Sequence, residues 1–306
     1  MRSAIILLSL AVAAAVCAQQ APTISVKVDL VPILATVHDA DGKIAKNLTP
    51  TDFILKVDGA QQQITYFKQE SDLPLSIGLL VDTSTSQRGV LEEERRASYK
   101  FLDQVLREGT DQAFVVSFDV RVQTLQHFTS SRTELAAALD RLKIPDQVST
   151  LIYSAVRDSS QDLMQQEKGR KAFILLTDGV AYKEPTSISD AIEFAQRADT
   201  IIYTILFSDP NESFGPIRAT ILKAFKARGK HGLERMARET GGAAYEVSNT
   251  QSIEEIYSLI EEALRNQYII GFTPDRQPPD GKYHKIKLAT TDSRLVVNAR
   301  AGYYAK

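Results

Sequence analysis

The sequence predicts an α/β fold with a doubly wound, mostly parallel sheet and small flanking β-rich segments. Between residues 73 and 270, apolar runs alternate with helical patterns, which is typical of such a sheet. The runs LPLSIGLLVD (73–82) and KAFILLTDG (171–179) are almost continuously apolar, as expected of strands buried on both faces. The 306 residues are 43% hydrophobic and 24% charged, so the chain can bury a sizeable core.

The first 18 residues predict a secretory signal peptide. A basic Arg2 precedes an apolar run over residues 4–16, and the small residues Val16 and Ala18 precede a plausible cleavage site. A membrane anchor and a lipoprotein signal at Cys17 are the alternatives. The run is shorter than the ~20 residues that span a bilayer, and Val16 is bulkier than the residue that usually precedes a lipid-modified cysteine. We therefore expect an exported protein, periplasmic or secreted, whose mature chain has no cysteine.

Residues 19–72 predict an N-terminal antiparallel β segment. Asp41-Gly42 and Asp58-Gly59 lie between alternating apolar and polar runs, which is a strong hairpin signal. The alternation returns in residues 271–306, around a Pro-Pro-Asp-Gly turn at 278–281. These last residues predict a C-terminal β-hairpin that either packs with the N-terminal strands or extends the α/β sheet at its edge.

The α/β domain itself is predicted over 73–270. Its patterns predict strands at 73–82, 113–118, 122–128, 171–177, 200–207 and 243–247. They predict helices at 91–107, 132–142, 151–165, 188–198, 233–239 and 252–266.

The charge balance excludes a general nucleic-acid or anionic-membrane binder. The chain has 36 basic and 38 acidic residues, so it lacks the basic excess that such binding needs. One segment, 217–231, is basic and has interleaved apolar residues. It predicts either an amphipathic helix that contacts an acidic partner or anionic lipid, or a solvated helix whose apolar side packs on the domain. No segment after residue 18 is long and apolar enough to predict a membrane span.

Polar side chains follow the buried strands where those strands end. Asp82, Ser84 and Ser86 follow the first, Asp178 follows the fourth, and Thr150 lies in the loop before a predicted helix. Ligands of open α/β sheets bind beyond the carboxyl ends of the strands. Carboxylate and hydroxyl oxygens suit Mg²⁺, Mn²⁺ or Ca²⁺ and disfavour zinc or copper. Helix N-caps are the alternative interpretation of each residue.

The pattern Asp82-x-Ser84-x-Ser86, with Thr150 and Asp178, resembles the metal-ion-dependent adhesion site of von Willebrand factor type A domains, which have a Rossmann-like fold. The resemblance covers residues 73–270, and the flanks look like secreted von Willebrand factor A-related proteins of Acidobacteria. It implies that the three hydroxyls face the metal, while the two carboxylates orient ligands or water.

One departure from the family pattern concerns the loop before Thr150. Family members often have glycines there, whereas this chain has Val148-Ser149. Because glycine permits tight backbone turns, the geometry of this loop is the part of the site that the resemblance defines least.

The resemblance implies a protein-binding module for adhesion or scaffolding. A largely neutral set of ligands leaves the ion electrophilic, so it would engage an Asp or Glu carboxylate of a protein partner. The loops 87–89 and 182–186 would then supply specificity. The alternative is a structural A-type fold with a vestigial metal site, whose flanking β segments mediate the interaction.

The enzyme classes that the motifs allow are few. LLVDTSTS resembles the aspartic protease motif, but those enzymes need a second Asp on an all-β scaffold. A serine hydrolase needs a nucleophile elbow and a histidine base, and the sequence has no Gly-x-Ser-x-Gly. The four histidines, His38, His127, His231 and His284, are scattered. Metal-assisted hydrolysis through the two carboxylates stays open, but no general base is evident, so we expect a protein that is not an enzyme.

Overall fold

The structure is a computed structural model that describes residues 30–70, 73–208, 216–274 and 281–305. The predicted signal peptide and most of the predicted turn at 278–281 lie outside the described residues. The strands are β1 (Val31–His38), β2 (Phe53–Val57), β3 (Ala60–Gln62), β4 (Tyr66–Glu70), β5 (Leu75–Asp82), β6 (Gln112–Phe118), β7 (Val122–Thr129), β8 (Arg170–Thr177), β9 (Ile201–Leu206), β10 (Ala244–Glu246), β11 (Gln267–Phe272), β12 (Tyr283–Thr290), β13 (Val296–Ala299) and β14 (Gly302–Tyr304). The α-helices are α1 (Leu91–Val105), α2 (Arg132–Leu139), α3 (Ile152–Ser159), α4 (Ile188–Arg197), α5 (Pro216–Thr240) and α6 (Ile253–Arg265).

A six-stranded sheet forms the centre of the molecule, in the order β10-β9-β8-β5-β6-β7. All neighbours in it are parallel except β6 and β7, which pair antiparallel. Every residue of β5 and β8 is buried, as their continuous apolar runs predict. The predicted doubly wound, mostly parallel sheet is thus confirmed.

Helices cover both faces of the central sheet. One hydrophobic cluster joins the sheet to α1, α2 and α6, and the stacked rings of Phe101 and Tyr257 connect two of those helices. A second cluster joins the opposite face to α3, α4 and α5. Burying apolar side chains on both faces contributes about 25 cal/mol per Å² of apolar surface removed from water. This burial holds the sheet and its strand ends in place.

The two flanks of the chain form one β-sandwich. One sheet has the order β13-β1-β11-β4 and the other has the order β14-β12-β2-β3. Residues of both sheets share one hydrophobic cluster, in which Phe53 packs edge-on against Tyr268 with ring centroids 5.6 Å apart. Asp58-Gly59 makes the predicted hairpin turn between β2 and β3, with both residues at positive φ.

Within the predicted C-terminal hairpin segment, β12 and β14 pair antiparallel, but β13 between them joins the other sheet. Strand β11 pairs with β1 and β4, whereas β12 pairs with β2 and β14 in the other sheet. The run 294–304 is split, because β13 joins the first sheet and β14 the second. Alternation identified these residues as strands, but a period of two does not specify which strand is the partner. Of the two predicted placements, packing with the N-terminal strands is the observed one.

Helix α5 is longer than the sequence predicted. It runs through both the basic segment and the separate helix predicted at 233–239. Ile221 and Phe225 are 54% and 50% exposed. The apolar side of the basic segment therefore does not pack on the domain at these positions. No helix within the described ranges is both long enough and apolar enough to cross a membrane.

Candidate metal site

The candidate site lies where the strand order of the central sheet changes direction. From β5 the chain proceeds to β6 and β7 on one side, and then returns to place β8 on the other side of β5. Such a reversal opens a crevice at the carboxyl ends of the two strands. Asp82 is the last residue of β5, and Asp178 directly follows β8. The topology therefore brings together two of the residues that the sequence selected.

Asp82 is fully buried and held by two hydrogen bonds. Its Oδ1 accepts the Ser84 backbone N–H at 2.8 Å, and its Oδ2 accepts the Thr177 hydroxyl at 2.5 Å. The first bond turns the loop so that the hydroxyl oxygens of Ser84 and Ser86 lie 3.1 Å apart. The i, i+2 spacing of these residues thus places their oxygens together, as the sequence predicted. Thr177 was not among the predicted site residues.

Asp178 is placed by the loop that follows β8. Its Oδ1 accepts the Val180 N–H at 2.9 Å. With its amide oriented to satisfy both neighbours, the buried Gln87 accepts the Asp178 N–H at 3.1 Å and donates to the Phe207 carbonyl at 3.3 Å. The loop after β5 is therefore tied to the loops after β8 and β9.

A contact between two glycines fixes the other side of this loop. Gly179 has φ +79°, a conformation that L side chains rarely adopt. Gly229 of α5 lies against it so closely that a Cβ atom at position 229 would be 2.1 Å from the Gly179 carbonyl oxygen. The close approach of α5 thus depends on the absence of a side chain at this position.

Thr150 joins the same group of loops through the chain beyond Asp178. The backbones of Thr150 and Tyr182 exchange two hydrogen bonds, of 3.0 and 3.2 Å. Thr150 is 5% exposed, and its hydroxyl makes no hydrogen bond within the described part of the chain. The Val148-Ser149 sequence is accommodated because the Ser149 hydroxyl donates to the Tyr182 carbonyl at 3.0 Å. This loop therefore keeps an oxygen available without the usual glycines.

Glu184 locks the Thr150 loop to the loop after β8. Its Oε2 accepts the backbone N–H groups of Tyr153 (2.7 Å) and Ser154 (3.2 Å), in the first turn of α3. Its Oε1 accepts the Ser154 hydroxyl at 2.7 Å. A carboxylate at a helix N-terminus satisfies free donors and complements the helix dipole. Sequence reasoning missed this residue because the two partners lie about 30 positions apart.

Ser84, Ser86 and Thr150 do not cap a helix through their side chains. The N-cap of α1 is Val90 and that of α3 is Leu151, and neither makes a side-chain cap bond. The short 3-10 helix Thr85–Gln87 begins after Ser84, whose side chain makes no cap bond. The hydroxyls at these strand ends are therefore not needed to cap the N-termini of the helices.

Two buried acids at or near the site, Asp82 and Glu94, have raised pKa values. Burial raises the pKa of Asp82 well above its ordinary value, and the charge of Asp178 raises it further. Glu94 of α1 is also fully buried, which raises its pKa, and the charges of Asp82 and Asp178 add to the effect. Glu94 was not predicted as a site residue.

Two loops expected to supply specificity are only partly exposed. Gln87 and Thr186 are buried, so neither can contact a partner. Tyr182 and Val148 are 50% and 55% exposed, and they lie on the two loops that Thr150 connects. The exposed side chains near the site are therefore mixed, with Tyr182 and Val148 beside the basic Arg88 and Lys183.

The four histidines lie on elements other than the loops that carry the candidate residues. His38 ends β1, His127 lies in β7, His231 in α5 and His284 in β12. His284 Nδ1 lies 2.8 Å from an oxygen of Asp58 in the sandwich. None of the four lies in the loops that follow β5 and β8 or in the loop that contains Thr150.

The donor set fits a hard divalent cation. It consists of hydroxyl and carboxylate oxygens, which Mg²⁺, Mn²⁺ and Ca²⁺ prefer. The described ranges contain no group of three acidic, histidine or cysteine side chains that could hold an ion by themselves. An ion here would rely on the hydroxyls of Ser84, Ser86 and Thr150, as well as on carboxylates.

An α/β sheet whose switch point carries an Asp-x-Ser-x-Ser loop, a threonine and a second aspartate defines a class of α/β domain. The model of the von Willebrand factor type A domain matches residues 76–259, which is more than half of the chain. The chain belongs to the von Willebrand factor type A family. The comparison with curated proteins found no match.

Solved structures with similar folds come from several organisms. An aerotolerance-related membrane protein from Bacteroides fragilis is 16% identical, with a TM-score of 0.47; the match covers 62% of this chain and 98% of that one. Proximal thread matrix protein 1 from the mussel byssus, with zinc in its MIDAS motif, is 14% identical with a TM-score of 0.50, covering 70% and 50%. The PilB minor pilin from Streptococcus sanguinis is 16% identical with a TM-score of 0.46, covering 65% and 62%. At these identities the likeness concerns the fold alone.

Proposed function

We propose that the chain is an exported protein-binding module whose divalent cation takes up a carboxylate of a partner protein. The ion is held by Asp82, Ser84, Ser86, Thr150 and Asp178. The observation that supports the proposal is that Asp82 and Asp178 lie at the ends of neighbouring strands at the switch point of the sheet, with the hydroxyls of Ser84 and Ser86 3.1 Å apart in the first loop. Thr150 is joined through its backbone to the loop that follows Asp178.

The chemistry of the donors explains why the partner group is acidic. Hydroxyl oxygens are neutral, so they leave much of the charge of a divalent ion uncompensated. Mg²⁺ also keeps waters in a six-oxygen shell, and a carboxylate can replace one of them. Mg²⁺ is the proposed ion, with Mn²⁺ or Ca²⁺ as substitutes.

The surroundings of the site favour a protein partner over a small molecule. Tyr182 and Val148 are exposed on the neighbouring loops, and aromatic side chains are enriched among the residues that contribute most to protein interfaces. The proposed role is binding rather than catalysis.

Capture from the envelope proteins of the source organism tests this function. The full chain is immobilised and incubated in Mg²⁺, in EDTA, and in EDTA followed by excess Mg²⁺. Asp82→Asn keeps the shape of the side chain but loses its charge, and Asp162→Asn, on an exposed residue, is the matched control. We expect the same proteins to bind the native chain and the control in Mg²⁺, and to be absent with EDTA or Asp82→Asn.

Each other outcome has a definite meaning. Capture that is unchanged by EDTA and by Asp82→Asn would refute a cation-dependent interaction, and it would favour the β-sandwich as the interacting surface. Turnover of a captured protein in Mg²⁺, lost in Asp82→Asn, would refute the non-enzymatic role.

A further inference from the structure

Glu94 is a buried acid without hydrogen bonds. It is 0% exposed, and neither Oε1 nor Oε2 has a hydrogen-bond partner. Buried polar groups in folded proteins are nearly always paired, because an unpaired one loses its hydration without compensation. Glu92 and Glu93, directly before it, are exposed. The orphaned carboxylate is therefore a specific feature of this one position.

The position of Glu94 on α1 makes its burial unavoidable. It lies three residues after Leu91 and seven before Phe101, on the face that packs against the sheet. This helix begins at Leu91, five residues after Ser86. The charges that raise the energy of an ionised Glu94 are those of Asp82, Asp178 and Glu93, all of them acidic.

We infer that Glu94 belongs to the cation site, as a positioning residue that hydrogen-bonds a water on the bound ion. This inference rests on the proposed function, because it requires an ion at Asp82 and Asp178. Direct ligation by three acids is not available to the described residues, so the orphaned oxygens of Glu94 act through water. Partners in the second shell of a metal orient its ligands and add to its affinity.

The buried acids also affect the stability of the cation-free protein. Three buried acids repel one another, and the hydrogen bonds that Asp82 and Asp178 accept offset this repulsion only in part, so a cation or protons would lower the energy further. The ion therefore stabilises the fold as well as binding the partner. Glu94→Gln, which keeps the shape and removes the charge, lowers the affinity for the ion without weakening the cation-free fold.

The experiment is a titration of the full chain with Mn²⁺ alone, in which free Mn²⁺ is measured by electron paramagnetic resonance. We expect Glu94→Gln to bind Mn²⁺ about 10–100-fold more weakly than the native chain. Its urea midpoint in EDTA should equal or exceed the native value. Glu92→Gln, on an exposed neighbour whose charge is not among those that act on Glu94, is the matched control and should leave the Mn²⁺ affinity unchanged. Glu94→Leu, of similar size, should lose the same Mn²⁺ affinity. This second variant shows whether the loss in Glu94→Gln comes from the missing carboxylate or from the new amide.

The outcomes separate this inference from the proposed function. If the native chain binds Mn²⁺ and both Glu94 variants bind it equally well, the inference is wrong and the proposed function stands. If the variants lose affinity only because they unfold in EDTA, Glu94 is merely structural and the inference is wrong. If the native chain binds no Mn²⁺, both are wrong.

Discussion

The contact between Gly229 and Gly179 offers a sharp test of how α5 positions the metal site. In Gly229→Ala the new Cβ atom would lie 2.1 Å from the Gly179 carbonyl oxygen. A carbon and an oxygen normally approach no closer than about 3.3 Å. Helix and loop must therefore separate by about 1 Å, and the loop concerned begins at Asp178.

Two opposing energies determine the size of the effect. Alanine is about 1 kcal/mol better than glycine inside a helix, whereas overpacking of this kind costs about 1–3 kcal/mol. Gly232→Ala on the same helix is the matched control. A Cβ there would meet the Tyr153 hydroxyl at 3.1 Å, the far end of a side chain that can move.

The measurement is urea unfolding in EDTA together with Mn²⁺ affinity. We expect Gly232→Ala to be as stable as the native chain or more stable, and Gly229→Ala to be about 1–3 kcal/mol less stable than Gly232→Ala. Because binding sites tolerate displacements of only about 0.5 Å, Gly229→Ala should also weaken Mn²⁺ binding about tenfold or more. Equal stability and equal affinity of the two variants would refute the claim that this contact holds the loop.

Two further predictions concern charges away from the ion. Burial opposes ionisation of Asp111, but the guanidinium groups of Arg107 and Arg265 and two backbone N–H groups outweigh it and lower its pKa from 3.8 to about 2. Asp111→Asn should therefore cost about 1–2 kcal/mol at neutral pH, a value reduced because solvent screens the partly exposed Arg107. The native advantage should be complete above pH 3.8 and disappear as the pH falls towards 2, as acid-unfolding curves of both proteins would reveal; an advantage independent of pH would contradict the ion pairs. Glu184→Ala removes the carboxylate that caps α3 and should cost about 1–2 kcal/mol in thermal unfolding, while Glu193→Ala, with its ion pair on the surface of α4, should cost under 1 kcal/mol. A loss as small as that of Glu193→Ala would show that the cap contributes little.

The central fold could be predicted because its signals are local. The apolar runs of β5 and β8 identify strands buried on both faces, and the residues at their ends follow from the rule for parallel sheets. The spacing of Asp82, Ser84 and Ser86 lies within a single loop. None of these inferences required knowledge of which distant residues meet.

The features that could not be predicted depend on distant contacts. In the sequence, Glu92, Glu93 and Glu94 look alike, as acids in the first turn of a helix that suit its dipole. Only the phase of α1, in which Glu94 shares a face with Leu91 and Phe101, distinguishes the third. The spacing of Glu94 from Leu91 and Phe101 is visible in the sequence, and it could have been used to predict that Glu94 is buried. The Gly229–Gly179 contact and the strand partners of the C-terminal segment have no local signal.

Strands of the sandwich both precede and follow the central unit in the chain, and this connectivity couples the unfolding of the two units. The chain enters the central unit after Glu70 and leaves it at Gln267, and these residues are register partners of β4 and β11. When the central unit is folded, its two chain ends are close together and hold these strands side by side. When it melts, the same strands are joined only by a tether of nearly two hundred flexible residues, and closing such a loop carries a penalty in chain entropy. The two units should therefore unfold in a single cooperative transition, and ligand bound to one should protect the other.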